Sequence, residues 1–596
     1  MSLKKDIVWR VAVIYLGILL LGICILGKAV YLQFVEGKEL AAKAETLTLK
    51  DFMIQPNRGD IYASDNRLLA SSVPFYEVRM DPNSNALSTQ LFNQKIDSLA
   101  LCLSRLFRDK SKEEYKREIV TARRNGERYH LIRRQVSYIE LKEMKEFPVF
   151  REGRYKGGLI YVQDNRRILP HSSLASRTIG YLTKEASGNI VGIEGAYDHE
   201  LTGRIGIRLM QKLSGNVWMP VSDADEIKPK DGNDVITTID INIQDVAENA
   251  LLKQLIRQDA HHGTVILMEV QTGEVKAIVN LQKGDDGKYR ELYNYAVGEC
   301  TEPGSTFKLA SLLVALEDGV VEPDDTIDTG NGIIRFYDKD IRDTRQEGYG
   351  KITVKEAFEV SSNVGISKLI YDNYHDRPTD FVDRLYAMRL NEKLGVEIRG
   401  EGIPEIKYPG DSYWSGISLP MMSHGYELRM TPLQILAFYN AVANDGKMVK
   451  PMFVKELQYH GEVIKRFKTE VLHPSICSKE TIDKAILMLE GVVENGTAKN
   501  LDNKNYKIAG KTGTAQIANE RYGYKFEEKI SYQASFVGFF PSDNPRYSCI
   551  VVVNSPSNSV YYGNLVAGPV FKEIADKVYA TKLFLHKENV ADVSER

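Results

Sequence analysis

From Val11 to Gly27 the chain carries no charged residue, and Arg10 and Lys28 close the run at its two ends. In hydrocarbon every backbone N–H and C=O must be satisfied inside the segment, so a lone apolar run crosses a membrane as a helix. The run is short for a bilayer, but Ile7-Val8-Trp9 and Ala29-Val30-Tyr31-Leu32 extend it. Trp9, Tyr15 and Tyr31 suit the two interfaces, and Lys4, Lys5 and Arg10 predict an N-terminus on the cytoplasmic side. No small-x-small cleavage pattern follows, which favours a retained anchor over a signal peptide.

The rest reads as ordinary globular material. A length of 596 residues predicts more than one domain, and 43% hydrophobic with 27% charged residues is typical of folded chains. A net charge of −2 gives no support to nucleic-acid binding. The five cysteines, Cys24, Cys102, Cys300, Cys477 and Cys549, show neither metal-ligand spacing nor a disulfide framework. His261-His262 lacks spaced partners, so a metal site is not expected.

The stretch that carries chemistry is Ser305-Thr306-Phe307-Lys308. Glu302-Pro303-Gly304 before it signals a helix start, the apolar run Leu309 to Leu316 follows, and Gly319 is a stop signal. Ser305 is thereby placed at a helix N-terminus, with Lys308 one turn on along the same face. A serine hydroxyl attacks only when a base takes its proton. Burial of this apolar helix and the positive end of its dipole both disfavour an ammonium, so Lys308 is pushed toward its neutral, basic form. Alone the pattern says little, since Ser2-Leu3-Lys4-Lys5 also fits it.

Two further elements follow in order. Ser361-Ser362-Asn363 comes after a helical stretch, 352–358, and a short turn there can aim a hydroxyl and an amide into one cleft. Ser64-Asp65-Asn66 and Ser542-Asp543-Asn544 match this spacing but stand out of order. Lys511-Thr512-Gly513-Thr514 lies among strand-like residues, and a glycine inside a strand marks close approach by another backbone. A lysine, two hydroxyls and a bare backbone suit a peptide carboxylate lying along the strand. Valine at position 513 is expected to block that lane with little loss of stability, because valine suits strands.

The order Ser-x-x-Lys, Ser-x-Asn, Lys-Thr-Gly resembles the motif set of penicillin-binding proteins and class A β-lactamases. The whole chain resembles a class B penicillin-binding protein, a monofunctional peptidoglycan D,D-transpeptidase. Asp234 to Asp240, the strand pair 264–270 and 274–279 and the segments 535–541 and 547–553 resemble its catalytic domain. Arg58-Gly59-Asp60, Arg166-Arg167-Ile168-Leu169-Pro170 and Gly192-Ile193-Glu194 resemble its non-catalytic pedestal, where buried Arg and Glu would hold loops together. The charged stretch from Leu101 to Glu146 reads as a solvated helical face. The expected class is α+β: one transmembrane helix, an elongated mixed α/β pedestal, and a serine β-lactamase-like domain with a central antiparallel sheet flanked by helices. The expected boundaries are 1–10 for a cytoplasmic tail, 11–32 for the anchor, 33–230 for the pedestal, 231–579 for the transpeptidase domain and 580–596 for a polar tail.

The resemblance implies the roles. Ser305 attacks the penultimate D-alanine of a stem peptide ending in D-Ala-D-Ala, and Lys308 takes its proton. Ser361 relays a proton, Asn363 holds substrate or Lys308, Lys511, Thr512 and Thr514 bind the terminal carboxylate, and Gly513 belongs to the substrate-binding strand. The N–H groups of Ser305 and Thr514 form the oxyanion hole, β-lactams acylate the same serine, and the implied mechanism needs no metal or organic cofactor. Expected partners are membrane lipid, a polytopic membrane glycosyltransferase and other divisome proteins, with no nucleic acid. The expected location is the bacterial cytoplasmic membrane with the catalytic domain outside. Ser423-His424-Gly425-Tyr426 before Thr431-Pro432-Leu433-Gln434 resembles the cell-division type. An elongation-type enzyme, a D,D-carboxypeptidase, a β-lactamase and a β-lactam sensor are the alternatives.

Overall fold

Alternating and continuous runs of Val, Ile, Ala and Phe build the central sheet. In the computed structural model of the chain, residues 3–39, 49–171, 173–181, 191–213, 217–220, 227–517, 531–557 and 560–584 are described. Six strands form one antiparallel sheet in the order Tyr289–Arg290, Val275–Lys283, His262–Glu269, Tyr547–Asn554, Tyr532–Phe540, Ala509–Gln516. The central strands are buried along nearly their whole length, which demands cover on both faces.

Side chains alternate between those faces. Phe536 and Phe540 point to one of them and meet Phe571 edge-on, at ring distances of 4.7 and 5.7 Å. Phe571 belongs to the helix Gly568–Val578, which packs there beside the helix Ile241–Gln258. Gln244 of the second helix fastens itself to the sheet through the N–H and C=O of Ile278, both at 2.8 Å. On the other face Ser548 donates to Asn440 (2.7 Å) of the helix Pro432–Ala443. Every residue of that helix is buried, as an all-round apolar helix must be.

A second, mixed sheet runs in the order Glu462–Arg466, Val454–Tyr459, Asp234–Thr237, Ile61–Tyr62, Leu68–Met80, His130–Ser137, with Leu159–Ile168 on the other edge of Leu68–Met80. Ile61–Tyr62 lies parallel to Asp234–Thr237, and Asp60 N–H donates to the Asp234 carboxylate (2.7 Å). Arg167 donates to fully buried Glu194 (2.5 Å) and to Ser72 (3.1 Å), so the Arg and Glu of the two short motifs do hold loops together. All of this belongs to one compact unit, residues 59–201 and 233–596. The other unit, residues 1–58 and 202–232, has the helix Leu3–Phe34 and a sheet of Leu49–Ile54, Gly206–Leu213 and Val217–Pro220.

The fold class is the one expected, but the charged stretch after Leu101 is not simply a solvated helix. It contributes the helices Thr89–Phe107 and Lys112–Arg124 and the strand His130–Ser137, and Leu103, Tyr115, Ile119 and Ile132 pack into a separate core. Lys, Arg and Glu fill the outer positions and mask a narrow buried stripe. Of the expected polar tail, 585–596 lie outside the described residues.

Candidate active site

Ser305 sits where the chain turns into the helix Lys308–Glu317. Gly304–Phe307 form a turn of 3-10 helix, and the α-helix begins at Lys308 itself. The turn lies against the edge strand Ala509–Gln516, since a methyl group on Gly304 would touch Ala515 and the carbonyl of Thr514. A second loop fixes it from above. Gly304 N–H donates to Gly425 O (3.0 Å), and a Cβ on Gly425 would stand 2.0 Å from Gly304 O. With φ at +88°, that position accepts only glycine without strain. Tyr439 adds a bond from its hydroxyl to Thr306 O (2.7 Å).

Lys308 is fully buried, and its amine has three partners: Ser361 O (2.7 Å), Ser361 Oγ (3.1 Å) and Asn363 Oδ1 (2.7 Å). The first two sequence motifs therefore meet at one nitrogen. Ser361 is held in the left-handed region at φ +59°, costly for a non-glycine residue and sustained by its surroundings. Ser362 caps the helix Asn363–Tyr374, accepting from Gly365 N–H (2.8 Å) and donating to the Asp343 carboxylate at 2.9 and 3.0 Å. Asp343 also accepts from Val364 N–H (3.0 Å). Burial pushes the Lys308 ammonium down to about 7, and the Asp343 charge works against that fall. Among the described residues the half-buried Ser305 hydroxyl has no hydrogen-bond partner.

The third motif lies beneath. Lys511 is fully buried, over the Phe358 ring at 5.6 Å, and its amine donates to Thr512 O (3.2 Å). Burial, and next the neighbouring Lys308, push its ammonium well down. Thr512 and Thr497 share a hydroxyl–hydroxyl bond (2.8 Å), and Thr514 Oγ1 accepts from Gly563 N–H (3.3 Å). The structure brings Lys308, Ser361, Asn363 and Lys511 into one cluster, beside the turn that carries Ser305.

Gly513 changes one expectation. Its missing Cβ would lie 2.2 Å from Ser535 Oγ and 2.9 Å from Thr306 Cγ2, so it faces the next strand and the serine turn, not an open lane. Overpacking of this kind costs about 1–3 kcal/mol. Gly513→Val is therefore expected to lower the melting temperature and to displace Thr306, with acylation lost as a consequence. Melting curves measured beside the second-order acylation rate check this, and parent-like values of both would contradict it.

Asp343 escaped sequence reasoning, and His424 and Tyr426, read there only as part of the segment that resembles the cell-division type, also lie near the cluster. His424 is buried, and its Nδ1 lies 2.8 Å from Pro420 O and 3.0 Å from Ser367 Oγ. Burial, then the Lys308 charge, push its pKa down to about 3, so the ring is neutral and Nδ1 carries the proton toward the carbonyl. The Tyr426 hydroxyl accepts from Gln516 N–H (3.3 Å) and ties this loop to the end of the edge strand.

The family profile described as "Penicillin binding protein transpeptidase domain" matches residues 263–576, which hold all three motifs, and "Penicillin-binding Protein dimerisation domain" matches residues 53–237. The chain belongs to the penicillin-binding protein transpeptidase family. Together the two domains make it a class B penicillin-binding protein. It is 27% identical to "Peptidoglycan D,D-transpeptidase FtsI" of Escherichia coli (strain K12), over 96% of this chain and 92% of the relative. It is 30% identical to "Penicillin-binding protein PbpB" of Mycobacterium tuberculosis, over 69% of this chain and 61% of the relative. Among solved structures, Penicillin Binding Protein 2X from Streptococcus thermophilus shares the fold with a TM-score of 0.72 at 19% identity, covering 89% of this chain and 80% of that one. This penicillin-binding protein is membrane-anchored: Ile7–Phe34 is long and apolar enough to cross a bilayer, with none of its apolar window buried in the protein.

Proposed function

We propose that the chain is a septal peptidoglycan D,D-transpeptidase that works through an acyl-enzyme on Ser305. The observation that carries this reading is the buried amine of Lys308, on which the Ser-x-x-Lys and Ser-x-Asn motifs converge. A buried amine titrating near 7 is a usable base at neutral pH. Ser305 Oγ attacks the carbonyl carbon of the penultimate D-alanine, and its proton passes to Lys308 Nζ. The N–H groups of Ser305 and Thr514 receive the negative oxygen, each donor contributing about 3 kcal/mol. Ser361 relays the proton to the departing D-alanine nitrogen as the C–N bond breaks. The amine of a second stem peptide then attacks the ester and frees Ser305. The substrate carboxylate, arriving at the Lys511 strand, restores the charge that burial takes from that amine. Thr512 and Thr514 assist it, and Asn363 steadies Lys308. β-Lactams stop at the first ester.

The basic residues before the anchor support an N-terminus inside and a catalytic domain on the outer face of the cytoplasmic membrane. A polytopic glycosyltransferase and other division proteins are the proposed partners. Two things support the septal role: relatives named FtsI, and the Ser423 to Gln434 segment, whose Gly425 locks the serine turn. Depletion in the source bacterium should give filaments without septa. Rounded cells that still divide would favour the elongation type.

A further inference from the structure

The motif residues do not explain what holds the Ser361–Asn363 turn in its strained shape, nor what offsets the cost of burying Lys308. Both trace to Asp343. The residue follows the short strand Lys339–Arg342, is 8% exposed, and is itself anchored by its own N–H donating to Gly332 O (2.8 Å). Its carboxylate receives the Ser362 hydroxyl on both oxygens and the Val364 N–H on Oδ1, at the first turn of a twelve-residue helix. The preceding carbonyl, Arg342 O, accepts from Asn363 Nδ2 (2.9 Å), which leaves Asn363 Oδ1 facing Lys308. One loop thus grips residues 362, 363 and 364, directly after Ser361 with its φ of +59°.

The groups that face Lys308 come from four elements. Ser361 and Asn363 come from the turn, Lys511 from the edge strand, neutral His424 from the Pro420–Tyr426 loop, and Asp343 from the far side of the turn. Lys511 adds positive charge if protonated and His424 adds none at neutral pH. Asp343 is the group in this set that carries negative charge.

We propose that Asp343 is a positioning residue of the acyl transfer: its carboxylate clamps the Ser361–Asn363 turn onto Lys308 and supplies the negative charge behind that turn. The claim rests on the reading that Lys308 is the base for Ser305. The sign is fixed by charge. An anion beside an amine favours the ammonium. Removing the anion lowers the pH at which Lys308 loses its proton. Holding the turn is a separable task, because Ser362→Ala removes the clamped hydroxyl and keeps the charge.

The test uses the full-length chain in detergent micelles, labelled with [ε-13C]lysine, with the Lys308 signal assigned by its loss in Lys308→Met. Titration of that signal in Asp343→Asn should have a midpoint lower than in the parent by about half a pH unit or more. In Ser362→Ala the midpoint should stay at the parent value. The acid limb of the benzylpenicillin acylation rate should move with the midpoint in Asp343→Asn. In Ser362→Ala the plateau should fall about tenfold with the limb unmoved. If Asp343→Asn does not fold, Asp343→Ser also removes the charge and is read the same way. A Lys308 midpoint that is unchanged without the carboxylate would overturn the proposal, even if activity fell, because a merely structural residue would do that. Failure of the parent to be acylated at all would count against Ser305 and Lys308 as the working pair, while the lysine titration still decides the role of Asp343.

Discussion

Ser305→Ala should abolish covalent labelling by benzylpenicillin altogether while leaving the melting temperature within a degree or two of the parent. Among the described residues the neighbouring hydroxyls are each held by another partner, and the acyl group is assigned to Ser305 alone. Ser361 Oγ is bonded to Lys308, Ser362 Oγ to Asp343, and Thr512 Oγ1 to Thr497. Stability is spared because the Ser305 hydroxyl is half-exposed and has no hydrogen-bond partner among the described residues, so its removal orphans nothing. Intact-mass measurement after β-lactam exposure reads the result. An adduct that persists on the alanine protein would remove Ser305 from the mechanism.

Lys308→Met should lower the acylation rate by about 10²–10⁴-fold, the usual worth of a positioned general base. Methionine keeps the length and fills the buried space. It leaves Ser361 O and Asn363 Oδ1 without their donor, so some loss of stability accompanies the change. The pH dependence separates the two effects. In the parent, acylation should rise through a midpoint near 7, as the ammonium held down by burial gives up its proton. In the methionine protein that limb should vanish. The linkage has the same origin. The folded pKa lies below the unfolded one, so below about 7 protonation of the buried amine opposes folding. The unfolded chain binds the extra proton between there and the ordinary lysine range, and stability from this group therefore rises with pH across that window. A parent-like rate with a parent-like limb in Lys308→Met would exclude Lys308 as the base.

Much of the site was legible because its chemistry is local in sequence. Ser305 and Lys308 are one turn apart, Ser361 and Asn363 flank one residue, and Lys511 to Thr514 are contiguous. Strand and helix periods then placed each on its element. Detail at the ends was lost: the helix start at Ser305 is a 3-10 turn that begins at Gly304, with φ +56°, and the α-helix follows only from Lys308. The groups that escaped are those whose roles exist only through distant contacts. Asp343 stands eighteen positions before Ser361 in a run of charged residues, and nothing in that run sets it apart from Asp338 or Asp340. Gly425 reads as a loop glycine until Gly304 O is found where its side chain would be. Gly513 misled for the same reason. Its strand was right, but which face it bore depended on where Thr306 and Ser535 lie.

The most direct test of the account gives the full-length chain a stem pentapeptide ending in D-Ala-D-Ala together with an amine acceptor, and follows products and protein by mass spectrometry. The account predicts released D-alanine, a new amide between donor and acceptor, and a transient acyl adduct on the peptide that contains Ser305. Release of D-alanine with only the hydrolysed donor, or an adduct on any other residue, would contradict it.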